Sequence, residues 1–164
     1  KAEGTKQKVI DERVNRNRRL FEILKQSADS SDAQQRIVSY LDSLQASDAE
    51  IERSLKTVCT PWMRWYVGFD PTENLKKLRC PVLAINGEKD VQVPAKTNLS
   101  KIEETLKTSD NRSYSVVELP GLNPLFQPCV KCSVSEYVDI ETTMDPKVLE
   151  TIGEWLEKGK GLHR

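Results

Sequence analysis

The sequence places one carboxylate in a position suited to catalysis. Asp90 ends the stretch Asn86-Gly87-Glu88-Lys89-Asp90, which follows the apolar run at positions 81–85. That run predicts a fully buried strand of a parallel sheet, and open α/β sheets bind their ligands at the carboxyl ends of such strands. Asp90 could therefore orient a catalytic histidine as the acid of a triad. The alternative is a turn with a solvated carboxylate, which is the commoner case without further context.

The usual partners of a catalytic aspartate are hard to find. The single histidine of the 164-residue chain is His163, in a Gly-Lys-Gly-Leu-His-Arg tail that is expected to fray. We therefore expect His163 to take no part in the chemistry. No G-x-S-x-G motif precedes Asp90, so the nucleophile of a hydrolase is missing as well.

Four cysteines are the remaining reactive side chains. Cys129 and Cys132 form a lone C-x-x-C, whereas Cys59 and Cys80 have no paired spacing. Zinc needs about four ligands, and a redox C-x-x-C opens a helix after a strand, while this pair lies in a loop. We expect the pair to be structural or incidental, with a disulfide or a metal or redox role as alternatives. No metal site and no cofactor are predicted.

Amphipathic helices come before the strand that leads to Asp90. Apolar residues at three- and four-residue steps predict a helix over positions 5–27. Ser31 or Asp32 is expected to cap a second helix. Ser47 and Glu50 have the spacing of a capping box before a third helix. Such helices are marginal alone, so their apolar faces must pack together or against another surface.

An aromatic segment follows these helices. Six of the eight positions from 62 to 69 carry large apolar side chains: Trp62, Met63, Trp65, Tyr66, Val67 and Phe69. The segment is expected to lie in the core, with an acyl or peptide pocket as the alternative. In a fragment that lacks its sheet, part of this surface would be exposed.

The second half of the chain predicts an α/β fold. A strand at 81–87, a helix at 94–108, a strand at 114–119 and a closing helix after a loop of about 25 residues give a β-α-β-α order. This order implies parallel strands. Because two strands leave both sheet edges open, we expect a homodimer or strand exchange. The long loop suggests a functional or docking role.

The stretch LRCPVLAINGEKDVQVP at positions 78–94 resembles the acid-bearing segment of α/β-hydrolases, most closely the bacterial serine aminopeptidase or esterase-like branch. The resemblance continues through VELPGLN at 117–123 and IGEWL at 152–156. It implies that positions 1–69 are a helical cap or lid segment and that positions 70–164 are the C-terminal part of the hydrolase core. Asp90 would be the triad acid. The substrate of a full-length relative would be a small ester or peptide.

The chain departs from the family pattern at the base. The resemblance implies a histidine in a Leu-Asn-His-Leu-Phe pattern, but the residues here are Leu122-Asn123-Pro124-Leu125-Phe126. Pro124 cannot accept the proton of a nucleophile. We expect a fragment of a serine hydrolase that corresponds to the C-terminal half of the fold. This fragment is expected to be inactive alone. The alternative is a non-catalytic α/β-hydrolase-like binding or scaffold protein.

The charge balance and the hydropathy of the sequence limit which classes of partner are expected. The chain has 25 basic and 25 acidic residues, a balance that gives no field to attract nucleic acid or an anionic membrane surface. No apolar run approaches the roughly 18 residues that span a bilayer.

Because the chain starts at Lys1, it is expected to be cut from a longer protein. The compartment stays open, and a periplasmic or secreted location would require a signal peptide in that parent.

Arginines cluster on the first predicted helix, but acidic residues interleave with them. The basic members are Arg13, Arg16, Arg18 and Arg19. Asp11, Glu12 and Glu22 lie among them, so we interpret this surface as a solvated face rather than a phosphate-binding track.

Overall fold

The computed structural model describes residues 6–160. Within them the chain forms seven α-helices, one 3₁₀ helix and a two-stranded parallel sheet, a mixed helix and sheet architecture that is compatible with the predicted α/β class. The chain divides into two compact units, Lys1–Asp70 and Pro71–Arg164. None of the helices described is both long and apolar enough to cross a membrane.

The first unit is helical. It contains α1 (Gln7–Gln26), α2 (Ser30–Ser43), α3 (Asp48–Val58) and α4 (Pro61–Gly68). The other three helices all contact α1. The buried centre of this unit consists of aliphatic side chains from α1 and α2: Leu20, Ile23, Ile37 and Leu41. Ile51, Leu55 and Val58 of α3 pack against that centre, as their helical spacing predicts.

The helix starts are set by short polar side chains. The predicted capping box at α3 is confirmed, since the backbone N–H of Ser47 donates to Glu50 Oε2 at 3.0 Å. The predicted cap of α2 is wrong, because the helix begins earlier and Asp29 is its N-cap. The Asp29 carboxylate accepts the N–H of Asp32 at 2.9 Å, and the Asp32 carboxylate accepts the N–H of Ala28 at 2.9 Å. Asp32 therefore completes the cap from inside the first turn.

The second unit holds the sheet. Its elements are α5 (Thr72–Lys76), β1 (Val82–Gly87), α6 (Ala95–Lys107), β2 (Tyr114–Leu119), the 3₁₀ helix Val134–Asp139 and α7 (Pro146–Lys160). β1 and β2 run parallel in a register from Val82↔Tyr114 to Gly87↔Leu119. α6 connects them and packs against both strands.

The prediction that β1 is fully buried is wrong. Five of its six residues are half-buried, and Gly87 alone is buried. The physical reason is that β1 has one strand neighbour in the described residues. The N–H of Val82 donates to Ser113 O at 2.9 Å, so the alternation along the strand directs the backbone groups of Leu83 and Ile85 to the edge away from β2.

A second apolar centre lies where the strands end. Leu119 at the end of β2 packs with Leu122 and with Val148 of α7. Ile85 and Ile152 add partly buried side chains to this centre. The closing helix therefore covers the segment that follows β2, which brings that segment into a defined conformation beside the end of β1.

Candidate functional site

Two segments meet at the carboxyl ends of the strands. We name residues 87–93 the Asp90 turn and residues 120–127 the Pro124 segment. The N–H of Lys89 donates to Leu122 O at 2.9 Å. The N–H of Gly121 donates to Glu88 Oε2 at 2.9 Å. These two bonds, one main-chain and one to a side chain, join segments that are more than thirty residues apart in sequence.

Gly87 makes this approach possible. A Cβ atom at position 87 would lie 2.4 Å from Leu122 O and 2.6 Å from Asn123 O. Both oxygens belong to the backbone, so neither can move without displacing the Pro124 segment. The glycine that ends β1 is therefore required by the close passage of another chain segment.

Asp90 accepts three hydrogen bonds. Its Oδ1 atom accepts the N–H of Gln92 at 2.8 Å and that of Val93 at 2.7 Å. Asn86 Nδ2 donates to its Oδ2 atom at 3.2 Å. This pattern is that of an aspartate that shapes its own turn. Since a carboxylate has about four acceptor positions, Oδ2 keeps one for a further donor such as an imidazole N–H.

Glu88 is a site residue that the sequence analysis did not single out. The Gly121 N–H on its carboxylate, followed by a hydrogen bond from Lys89, lowers the pKa of Glu88 from its ordinary value. Its role is to tie the Asp90 turn to the glycine that follows Pro120. Only the contact between distant segments identifies it, since an exposed Glu-Lys pair in a turn carries no such signal in the sequence.

Pro124 lies within a hydrogen-bonded part of its segment. The neighbouring Asn123 is fully buried, and its Oδ1 atom accepts the N–H of Leu125 at 2.9 Å and that of Gln127 at 3.0 Å. Its Nδ2 atom donates to Gln127 Oε1 at 2.9 Å. Pro124 itself is half-buried and offers no group that can accept a proton. The other candidate base, His163, lies outside the described residues.

The C-x-x-C forms a disulfide. Cys129 and Cys132 are bonded with an S–S distance of 2.09 Å. The pair is therefore the disulfide that the sequence left as an alternative to a structural or incidental pair. Cys59 and Cys80 are free thiols. Burial raises the pKa of the Cys59 thiol. Within residues 6–160, no group of three potential metal-binding side chains comes together.

The aromatic segment does not lie in a core, so that prediction is wrong. It forms α4, on which Trp62, Trp65 and Tyr66 are each more than half exposed. Trp62 stacks on Tyr66 with ring centroids 5.0 Å apart, and Trp65 stacks on Phe69 at 4.8 Å. The rings stack on one another along the helix surface, so part of their apolar area is buried without contact to another helix or strand.

Two open clefts beside α1, with volumes of about 490 and 650 Å³, are lined partly by arginines. Three of the lining arginines have acidic neighbours: Arg16 lies 3.9 Å from Glu50, Arg19 lies 3.0 Å from Glu22, and Arg36 lies 3.7 Å from Asp32. These pairs are all partly exposed. They agree with the interpretation of this surface as a solvated, charge-balanced face.

Comparison with known proteins gives no match. No protein-family model matches the chain, and neither do the curated proteins or the solved structures.

Proposed function

We propose that this chain is the cap and C-terminal portion of a serine hydrolase of the α/β-hydrolase type, with Asp90 as the acid of the triad. The supporting observation is the bond from Lys89 N–H to Leu122 O at 2.9 Å. It holds the turn that carries Asp90 next to the segment in which the resembled family carries its histidine. The carboxylate also retains an acceptor position for an imidazole.

The proposed mechanism explains why residues 1–164 alone would be inactive. In such a triad a serine attacks the ester or peptide carbonyl, while a histidine takes the serine proton and passes it to the leaving group. Asp90 would hold that histidine in the correct tautomer. Pro124 supplies no base and the sequence contains no G-x-S-x-G, so neither proton transfer nor nucleophilic attack can occur.

The alternative function is a non-catalytic α/β-hydrolase-like binding or scaffold protein. The observation that favours it is the closed hydrogen-bond network around Pro124. Asn123 satisfies its neighbours within the segment, and Gln127 Nε2 donates to Thr142 O at 3.0 Å. A segment whose conformation is held by its own side-chain amides needs no catalytic base to keep its shape, which suits the presentation of a binding surface.

The triad geometry can be tested on this chain with an introduced imidazole. In Pro124→His, an imidazole that meets the Asp90 carboxylate should titrate about one pH unit above the ordinary value of about 6.5. Adding Asp90→Asn should remove that rise. NMR titration reports the value directly, because His163 is the single natural histidine and contributes one known resonance.

Leu125→His is the matched control, since position 125 is adjacent and 51% exposed. Its imidazole should titrate near the ordinary value whether or not Asp90 is present. If the imidazole introduced at position 124 titrates identically with Asp90 and with asparagine at position 90, the assignment of Asp90 as an orienting acid fails.

Hydrolase and scaffold are separated by activity in the full gene product. If the full gene product is a serine hydrolase, it should cleave p-nitrophenyl esters without any substitution, whereas activity gained only in Pro124→His would favour the non-catalytic alternative. Substantial activity without the substitution would reject the non-catalytic alternative. No activity in either form, with the introduced imidazole still coupled to Asp90, would favour the scaffold.

We also propose that two copies associate through open sheet edges. The backbone groups of Leu83 and Ile85 point away from β2, and no described strand pairs with them. An edge that has no strand partner pairs readily with another strand. A two-fold arrangement in which β1 meets β1 of a second copy would pair the open β1 edge of each copy at once.

A further inference from the structure

The loop between β2 and α7 carries a disulfide that the proposed hydrolase chemistry does not use. Cys129 and Cys132 close a small ring around Val130 and Lys131. Val130 is 93% exposed, so the tip of this ring lies in solvent, while Cys129 is half-buried and Cys132 is buried. A disulfide that an external thiolate can reach at one sulfur can exchange, whereas a disulfide buried at both sulfurs resists reduction.

Glu136 holds the backbone of the ring in addition to the disulfide. Its Oε1 atom accepts the N–H of Val130 at 2.9 Å and that of Lys131 at 3.2 Å, and its Oε2 atom accepts the N–H of Cys132. These N–H groups lower the pKa of Glu136, which keeps the carboxylate charged. Cys132 has a φ of 57°, a conformation that residues other than glycine rarely adopt. The charge-assisted bonds therefore maintain a backbone path that brings both cysteines together.

The two sulfur atoms are unequally accessible. Cys132 is 6% exposed, whereas Cys129 is half-buried. An incoming thiolate therefore reaches Cys129 more easily, and Cys132 becomes the leaving group.

We propose that Cys129–Cys132 is a reversible thiol–disulfide exchange site for an external dithiol. A thiolate of the dithiol attacks Cys129 Sγ, the bond between the two cysteines breaks, and Cys132 departs with the electron pair and takes a proton. The second thiolate of the dithiol then attacks the first sulfur of the same dithiol, which is bonded to Cys129 in the mixed disulfide. Cys129 is released and is also protonated. The dithiol becomes a disulfide, and two electrons have passed to the protein.

Gly121 connects the disulfide to the candidate site, so a change in the redox state of Cys129 can affect the hydrogen bonds there. Cys129 N–H donates to Gly121 O at 3.4 Å, and Cys129 Sγ lies 3.6 Å from the same oxygen. A disulfide sulfur has no proton, so the sulfur contact becomes a hydrogen bond only in the reduced form. Because Gly121 also binds Glu88, reduction is expected to shift the NMR amide signals of Gly121 and Glu88 and to leave that of Gly153 unchanged. Unchanged signals for Gly121 and Glu88 would refute this link.

The exchange is tested by equilibrating the chain with mixtures of reduced and oxidised dithiothreitol, followed by alkylation and peptide mass spectrometry. Cys59 and Cys80 serve as internal free thiols. We expect Cys129 and Cys132 to become reduced and reoxidised together, with unchanged far-ultraviolet circular dichroism. The proposal fails if about 10 mM dithiothreitol does not reduce the native pair, or if reduction removes the helical signal.

Single-cysteine variants identify the attacked sulfur. Cys132→Ser leaves the accessible Cys129, and Cys129→Ser leaves the buried Cys132. We expect the former to form a mixed disulfide with oxidised glutathione at least about tenfold faster. Equal rates, or faster reaction at Cys132, would overturn the assignment of Cys129 as the attacked residue.

The role of Glu136 is tested at equilibrium. Glu136→Gln should lower the equilibrium constant for ring closure against dithiothreitol about fivefold, because an amide cannot accept the three N–H groups as strongly. Glu141→Gln removes an exposed carboxylate from the same loop and should leave the constant unchanged. Equal constants for Glu136→Gln and the unmodified chain would refute the role of the carboxylate.

Discussion

Two buried polar groups of the long loop differ in whether they have hydrogen-bond partners. Asn123 is fully buried, and both ends of its amide have partners within the loop. The hydroxyl of Tyr137 is also removed from solvent, yet it has no hydrogen-bond partner in the described residues. A satisfied amide stabilises the native state, whereas a buried hydroxyl without a partner costs free energy.

Removing the Tyr137 hydroxyl should therefore stabilise the protein. We expect Tyr137→Phe to raise the free energy of unfolding by about 1 kcal/mol, because the desolvated hydroxyl is removed and the ring is retained. Urea unfolding followed by circular dichroism measures the change. Tyr66→Phe is the control, since Tyr66 is 57% exposed and should show a change within about 0.5 kcal/mol. A clear loss of stability in Tyr137→Phe would mean that the hydroxyl is bonded in solution.

At the scale of elements, β1 and the Pro124 segment depend on a single glycine. The backbone oxygens of Leu122 and Asn123 occupy the space next to Gly87 that a side chain would need. Gly153, in the middle of α7, has nothing within 4 Å of the corresponding Cβ position. The same substitution should therefore have opposite effects at these two positions.

Gly87→Ala is expected to destabilise the protein by about 3 kcal/mol, since overpacking against a fixed backbone forces the segment to move. Gly153→Ala is expected to stabilise it by about 0.5–1 kcal/mol through helix propensity alone. Both values come from urea unfolding, and the amide signal of Leu122 should shift in Gly87→Ala. A neutral Gly87→Ala would show that the two segments do not pack closely.

The capping box of α3 should make stability depend on pH. The backbone N–H of Ser47, then its hydroxyl, lowers the pKa of Glu50 below its ordinary value of 4.5. A carboxylate whose pKa is lower in the folded state contributes stability above its unfolded pKa. That contribution is lost as the pH falls from 4.5 through the lowered value.

Glu50→Gln should therefore destabilise the chain at neutral pH and match the unmodified chain once the pH is below the lowered pKa. Thermal unfolding midpoints over this range measure the difference. Glu52→Gln, on the same helix, controls for the loss of an exposed charge. An equal effect of Glu50→Gln at neutral and acidic pH would contradict the assigned cause.

At the scale of the whole molecule, the two-stranded sheet leads to a prediction about association. Light scattering at tens of micromolar should give about twice the chain mass of 18.7 kDa. Leu83→Pro removes an N–H that faces the open edge and keeps the bonds to β2, so it should return the mass to that of one chain. A monomer in the unmodified protein would contradict the proposed edge pairing.

The sequence was sufficient for most of the elements. Apolar spacing predicted α1 and α6 within a few residues, and the boundaries of β2 were predicted correctly at positions 114–119. The Ser47–Glu50 box was also predictable, because both partners lie within one helical turn. The cap of α2 was missed because Asp29, Ser31 and Asp32 compete within four positions, and only their geometry selects one.

The location of Asp90 after a strand was likewise a property of the sequence, because a strand and its following turn are local. Tertiary structure decided everything that joins distant segments. It brought Leu122 against Gly87, directed Glu88 to Gly121, and left the aromatic rings of α4 uncovered. Spacing along the chain determines which residues can share a helix face or a turn, whereas packing of segments far apart in sequence determines which of them meet.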